Sequence, residues 1–152
     1  MIRNIKFRAW IKEQKQMVEV IELNFHQATI ASIYDDYTSG EQEWDLEDFK
    51  NVELMQYVGL KDKNGTEIYE GDIVMIMNKE DIYSVNYGEF GVPNVDLEVY
   101  QDLAVGFFIK PEHDLKNVIP FSLTIPLNTS YSKDVMVIGN IYENPELLQE
   151  EK

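Results

Sequence analysis

Carboxylates are the reactive groups this chain has in plenty, with 28 Asp and Glu residues against 13 Lys and Arg. Glu67, Glu70 and Asp72 bracket Gly71, and two carboxyls at that spacing can serve a hydrolase as acid and base. The same spacing also makes a turn, in which Asp72 accepts from backbone amides while the glutamates face water. Other chemistry finds no foothold. There is no cysteine for a thiolate nucleophile, a metal site or a disulfide. His26 and His113 are lone, without a second ligand at metal spacing. Asp62-Lys-Asn64-Gly65 has part of a calcium-loop pattern, but its glycine comes two positions early, so it reads as a turn. Gly88-Glu-Phe-Gly91 lacks the following helix that would cradle a phosphate, and no G-x-S-x-G occurs. The sequence therefore predicts no catalytic residue, no cofactor and no metal.

Two groups of residues remain that suit binding. Arg8 is one of two arginines, set mid-strand beside aromatics. With Trp10, Gln56, Tyr57, Tyr69, Asn140 and Tyr142 it forms a constellation with two readings. Structurally, Arg8 stacks on Tyr57 or Tyr142 and pairs with Glu70 or Glu143. Functionally, the same groups line a groove for a peptide, a base or an anion. The second group is the acidic stretch from Asp35 to Glu53, with eight carboxylates and one lysine. It is either a solubilising loop or a polyanionic face that mimics DNA toward a basic host protein. Its members are Asp35, Asp36, Glu41, Glu43, Asp45, Glu47 and Asp48.

The elements that must position these groups are short strands. Ile5, Phe7 and Ala9 alternate with Lys6 and Arg8, and a hairpin leads to a strand over 17–23. A third, weaker strand covers 28–34. Within the acidic stretch the alternation fails, and a short helical turn over 45–49 is expected to anchor Trp44 and Phe49. A strand resumes at 52–58. Asn64-Gly65 and Gly71-Asp72 mark tight turns, and Ile73 to Met77 reads as a strand buried on both faces. Beyond it, strands are expected over 83–87, 97–100, 103–110, 121–125 and 135–141, with a loop over 88–94. Asn144, Pro145 and Glu146 form a helix start, so a short C-terminal helix is expected. The fold class is mainly β, with small barrel-like antiparallel sheets. No linker or repeat divides the chain, so residues 1–152 are read as one domain, with a possible subdivision near 35–50 left open.

At 44% apolar residues the chain can bury a core. A net charge of −15 disfavours conventional nucleic-acid binding. No apolar run reaches membrane length and no secretory h-region follows the basic start, so a cytoplasmic protein away from the membrane is expected.

Three segments resemble the YopX family: Ile5-Lys-Phe-Arg-Ala-Trp10, the stretch Met55-Gln-Tyr-Val-Gly-Leu-Lys-Asp-Lys-Asn-Gly-Thr-Glu-Ile-Tyr-Glu-Gly-Asp-Ile-Val74, and Val137-Ile-Gly-Asn-Ile-Tyr-Glu-Asn-Pro-Glu-Leu147. They occur in family order over nearly the full length. The resemblance implies a phage or prophage protein of Gram-positive bacteria, β-rich, acting in the host cytoplasm and able to self-associate. It implies no reaction, and the middle of the chain, 83–132, departs most from the family pattern. The expected function is a non-enzymatic accessory role through contacts with itself or with host or phage proteins. The alternatives are the acidic DNA mimic and a small-ligand or nucleic-acid module built on the Arg8 cluster.

Overall fold

The computed structural model describes residues 4–35, 42–76, 81–94, 99–112 and 124–149. The chain is mainly β, in two antiparallel sheets, and clusters into two compact units, 1–57 and 58–152. Neither sheet closes into the expected barrel among the described residues.

In the first unit, β1 (Phe7–Ile11) pairs with β2 (Gln16–Asn24), which pairs with β3 (Thr29–Asp35) and, through it, with β4 (Gln42–Asp48). On its other side β1 pairs with β5 (Val52–Lys61), whose start lies in this unit. Alternation decides the faces. Ala9, Ile11, Val18, Ile30 and Val52 share a buried cluster, against which Val20, Leu23 and Phe49 pack.

The acidic stretch departs from expectation. Residues 45–48 belong to β4, because seven pairs from Thr29↔Asp48 to Asp35↔Gln42 satisfy their backbone in a ladder. The helical turn comes after it, as a single 3-10 turn over Phe49–Asn51. There the Phe49 amide donates to the Ala28 carbonyl at 2.8 Å, and the ring meets Phe25 edge-on at 6.0 Å. Phe49 is thus anchored as expected. Trp44 is not, and stays 68% exposed.

In the second unit, β5 continues and is followed by β6 (Glu67–Tyr69), β7 (Asp72–Ile76), β8 (Ile82–Asn94), β9 (Val99–Pro111), β10 (Ile125–Pro126) and β11 (Val135–Asn140). The sheet order is β10-β9-β8-β7-β11. Ile68, Val74, Tyr83, Val85, Ile109 and Val135 form the core. β7 is interior, with Ile73 and Val74 fully buried although they point to opposite faces; Met75 and Ile76 are only half-buried. The expected loop over 88–94 is strand, and the two strands expected over 97–110 are one. Twelve pairs between β8 and β9 hold the long hairpin, with a register shift at Val92/Pro93. The C-terminal helix is a single 3-10 turn, Pro145–Leu148. Asn144 makes no side-chain cap to that turn, and its Oδ1 instead accepts from the Asn140 amide at 3.3 Å. The strand expected at 121–125 lies outside the described residues up to 123.

Two carboxylates organise this unit's turns. Asp62 is 6% exposed. Its Oδ1 accepts from the amides of Asn64 (2.8 Å) and Thr66 (2.9 Å), closing the turn that Gly65 completes at φ +86. Its Oδ2 accepts from the Val137 amide of β11 at 3.0 Å, 75 positions along the chain. Asp72, fully buried, takes the Tyr69 amide at 2.7 Å across the Gly71 turn. Burial alone would raise the Asp62 pKa. The amides of Val137, Thr66 and Asn64 outweigh it and hold the carboxyl below its ordinary 3.8.

Asp62→Ala leaves these amides unsatisfied in a buried site, and a loss of about 2–4 kcal/mol in denaturant unfolding is expected. Asp62→Asn also destabilises, since its amide nitrogen would face the Val137 donor. Because the folded pKa is depressed, the Asp62 contribution is complete above the unfolded value near 3.8 and fades as pH falls through the folded one. The stability gap between wild type and Asp62→Asn should therefore narrow below about pH 4. Gly139→Ala would place a Cβ 2.5 Å from Asn144 Oδ1, and a loss of about 1–2 kcal/mol is expected in the same assay.

Candidate functional site

The residues of the Arg8 constellation fall in both units. Arg8, Trp10, Gln56 and Tyr57 lie in the first unit, and Tyr69, Asn140 and Tyr142 in the second. Within the first unit the ladder separates them further. Phe7 pairs with Gln56 and Arg8 with Met55, so Gln56 lies on the face of Phe7, opposite that of Arg8, Trp10 and Tyr57. The cation over the Tyr57 ring is Lys6, 5.7 Å from its centroid. Arg8 stands directly across β2 from Glu19. Arg8, Trp10 and Tyr57 each make further contacts, and Tyr57 is 6% exposed.

In the second unit, Tyr69 donates its hydroxyl to Glu67 at 3.0 Å. Asn140 Oδ1 accepts from the amides of Tyr142 (3.1 Å) and Glu143 (2.9 Å), and its Nδ2 donates to Glu143 at 2.5 Å. Asn140 is 5% exposed, and these bonds give it the work of holding the turn after β11.

The carboxylates around Gly71 are likewise occupied. Asp72 fastens the turn by accepting from the Tyr69 amide, and Glu67 takes the Tyr69 hydroxyl. Among the described residues no three His, Asp or Glu side chains gather as metal ligands. His26 is an exposed turn residue, and His113 lies outside the described residues.

Of the acidic group, Asp36 and Glu41 lie outside the described residues, and for Asp35 and Glu43 only the strand backbone is described. Asp45, Glu47 and Asp48 can be placed on β4. Asp45 and Glu47 share one face, while Trp44, Leu46 and Asp48 share the other. Asp48 pairs with Lys50 at 2.9 Å, and Asp45 Oδ1 accepts from the Leu46 amide at 2.8 Å. Trp44 and Leu46 remain 68% and 56% exposed. A shallow depression of about 350 Å³ lies beside the strand's end, lined by Gln27, Ala28, Asp48, Phe49 and Lys50.

Sequence reasoning missed two features of the β8–β9 hairpin. One is a polar cluster on a single face, in which Ser84 donates to Glu112 and Asn86 Nδ2 donates to Ser84 Oγ at 2.9 Å. The pairing of β8 with β9 creates it, so no local motif signals it. The other is an apolar stripe. Tyr83, Val85, Tyr87 and Glu89 share a face with Pro111, Ile109, Phe107 and Val105, and Leu103 extends it. At its root this face is core, with Tyr83, Val85 and Ile109 at 2% exposure or less. Burial pushes the Tyr83 phenol pKa up, and Asp81 adds to the rise. Outward the same face stays apolar but loses its cover. Tyr87, Val105 and Leu103 are 56%, 69% and 70% exposed, with Tyr87 edge-on to Phe107 at 5.0 Å. The opposite face is covered, since Phe90 is buried and stacks near Phe108 at 5.0 Å. The signal was present in the alternation of Leu103, Val105 and Phe107. It could not say that this part of the face would lack cover among the described residues.

Comparison with known proteins places this architecture. The crystal structure of protein EF1440 from Enterococcus faecalis aligns over 97% of this chain and 100% of its own, at 27% identity and a TM-score of 0.57. No curated protein matches the sequence. The family model described as YopX protein matches residues 6–149, a span that takes in every strand from β1 to β11. The chain belongs to the YopX family.

Proposed function

We propose that this YopX-family protein is a non-enzymatic accessory protein of a phage or prophage, working in the host cytoplasm through protein–protein contacts. The observation that carries the reading is the outer part of the β8–β9 hairpin. Beyond Phe107, whose carbonyl accepts from the Leu127 amide at 3.0 Å, the ladder runs only between β8 and β9 among the described residues, with the Thr124 hydroxyl donating to the Gly91 carbonyl at 3.0 Å. A two-stranded ribbon is marginal in water by itself, and an apolar face on it gains from cover. Leu103, Val105 and Tyr87 offer such a face, with Glu89 its one charged member among the described side chains.

The occupant that fits is a second copy of the chain. With a net charge of −15, two copies repel over most of their surface. The ribbon face is mostly apolar and adds little to that repulsion, and two such faces can pair isologously.

Light scattering after size exclusion tests it. Wild-type protein is expected to show a concentration-dependent dimer, and the double variant Leu103→Ser, Val105→Ser a monomer. Both side chains are about 70% exposed, so thermal unfolding of the monomer should shift by no more than about 0.5 kcal/mol. A wild type that stays monomeric throughout, or a double variant that dimerises equally, would contradict the ribbon contact. Specific turnover of a nucleotide or nucleic acid by the purified chain would overturn the non-enzymatic reading.

A further inference from the structure

We propose that the outer edge of β4 is a docking strand for an extended, basic protein segment, one that alternates Lys or Arg with apolar residues and adds to the sheet as a further strand. This surface is separate from the ribbon and goes beyond self-association.

The backbone supplies the first argument. β4 ends its sheet, and among the described residues it pairs only with β3. The Phe49 amide donating to Ala28 marks positions 28 and 49 as a hydrogen-bonded pair. Antiparallel ladders alternate. Glu47 and Asp45 therefore direct their backbone groups at β3, while Trp44, Leu46 and Asp48 direct theirs outward. The Leu46 amide agrees, because it is held from outside the ladder by Asp45 Oδ1 at 2.8 Å. That bond occupies the middle donor of the edge and blunts it toward neutral or acidic strands. An incoming carbonyl can replace the carboxylate, and a cation on the same segment can then take the freed carboxylate.

The side chains supply the second argument. Trp44 and Leu46 present exposed apolar surface on one face, while Asp45 and Glu47 lie on the other. A strand that matches both faces carries apolar residues at one parity and cations at the next. Like charges directly opposed across strands are destabilising, so a second β4 would meet its own carboxylates, and the phosphates of DNA would fare no better. Lys50 is the cation within the patch, and it is already paired with Asp48 at 2.9 Å.

The test follows backbone amide chemical shifts of the full chain during titration with a synthetic peptide alternating lysine and valine, at low and at physiological salt. Controls are the same peptide N-methylated along its backbone, and a glutamate–valine peptide. Shifts centred on Trp44, Leu46 and Asp48 are expected, weakened by salt. Binding should fall by about tenfold or more on N-methylation, which removes strand addition and keeps the charge. Leu46→Pro removes an outward donor at an edge position that tolerates proline, and binding should fall with it. If that variant fails to fold, the methylated peptide still decides. Equal binding of the methylated peptide, shifts confined to another surface, or no shift at all would overturn the proposal. The Leu103→Ser, Val105→Ser variant should bind the peptide as wild type does, so a failure of the ribbon contact would not be mistaken for a failure of this edge.

Discussion

One buried carboxylate sets the frame of the second unit. Asp62 terminates β5, closes the 62–66 turn through two amides and ties it to β11 through a third. The Lys63 amide adds a bond to the Val135 carbonyl at 3.0 Å beside it. Charge-assisted bonds to buried amides are stronger than neutral ones, and their loss leaves donors that water cannot reach. Asp72 and Asn140 repeat the device at the next two corners, each spending a nearly buried polar side chain on its own chain's amides. With β7 and β11 fixed at these corners, the core of Ile68, Val74, Tyr83, Val85, Ile109 and Val135 has defined walls. The β8–β9 hairpin springs from that core.

Much of this was legible in the sequence, for physical reasons that differ by element. The turns at Asn64-Gly65 and Gly71-Asp72 were readable because positive φ and side-chain acceptance restrict which residues can stand there. Asp62 was readable as a turn residue, but its bond to Val137 was not, since no local pattern reports a partner 75 positions away. The acidic stretch misled because its carboxylates mask a period of two. Trp44 and Leu46 do alternate with Asp45 and Glu47, and the ladder to β3 overrides any helical tendency. Gly88, Gly91 and Pro93 suggested a loop, yet in the hairpin they stand in β8, with the register shift falling at Pro93. Asn144, Pro145 and Glu146 suggested a helix, and only one 3-10 turn stands there. The Arg8 constellation was assembled from residue types alone, and within the first unit strand parity sets Gln56 on the face opposite Arg8, Trp10 and Tyr57.

The described surface is acidic in sum but not uniformly so. Carboxylates with structural duties are buried at turns, and those of β4 sit at a sheet edge where they discourage indiscriminate pairing. Exposed large apolar side chains include Trp44 and Leu46 on the edge strand and Tyr87, Leu103 and Val105 on the outer ribbon, besides Ile5, Ile21, Phe25, Leu54 and Tyr131 elsewhere. A protein of this charge can leave such strands uncovered and stay soluble, because repulsion suppresses chance encounters. Specific partners must then bring either a matching neutral face or positive charge. The proposed binding role rests on this division of surface.

Native-state hydrogen exchange on the isolated chain tests the account most directly, because it reads the buried tie and the open edge together. The amides of Asn64, Thr66 and Val137 should exchange only with global unfolding, alongside the core strands. Those of Trp44 and Asp48 should exchange many orders of magnitude faster, at nearly unprotected rates, while the inward amides of Asp45 and Glu47 stay protected. Fast exchange at Val137, or protection at Trp44 and Asp48 equal to that of their neighbours, would contradict it.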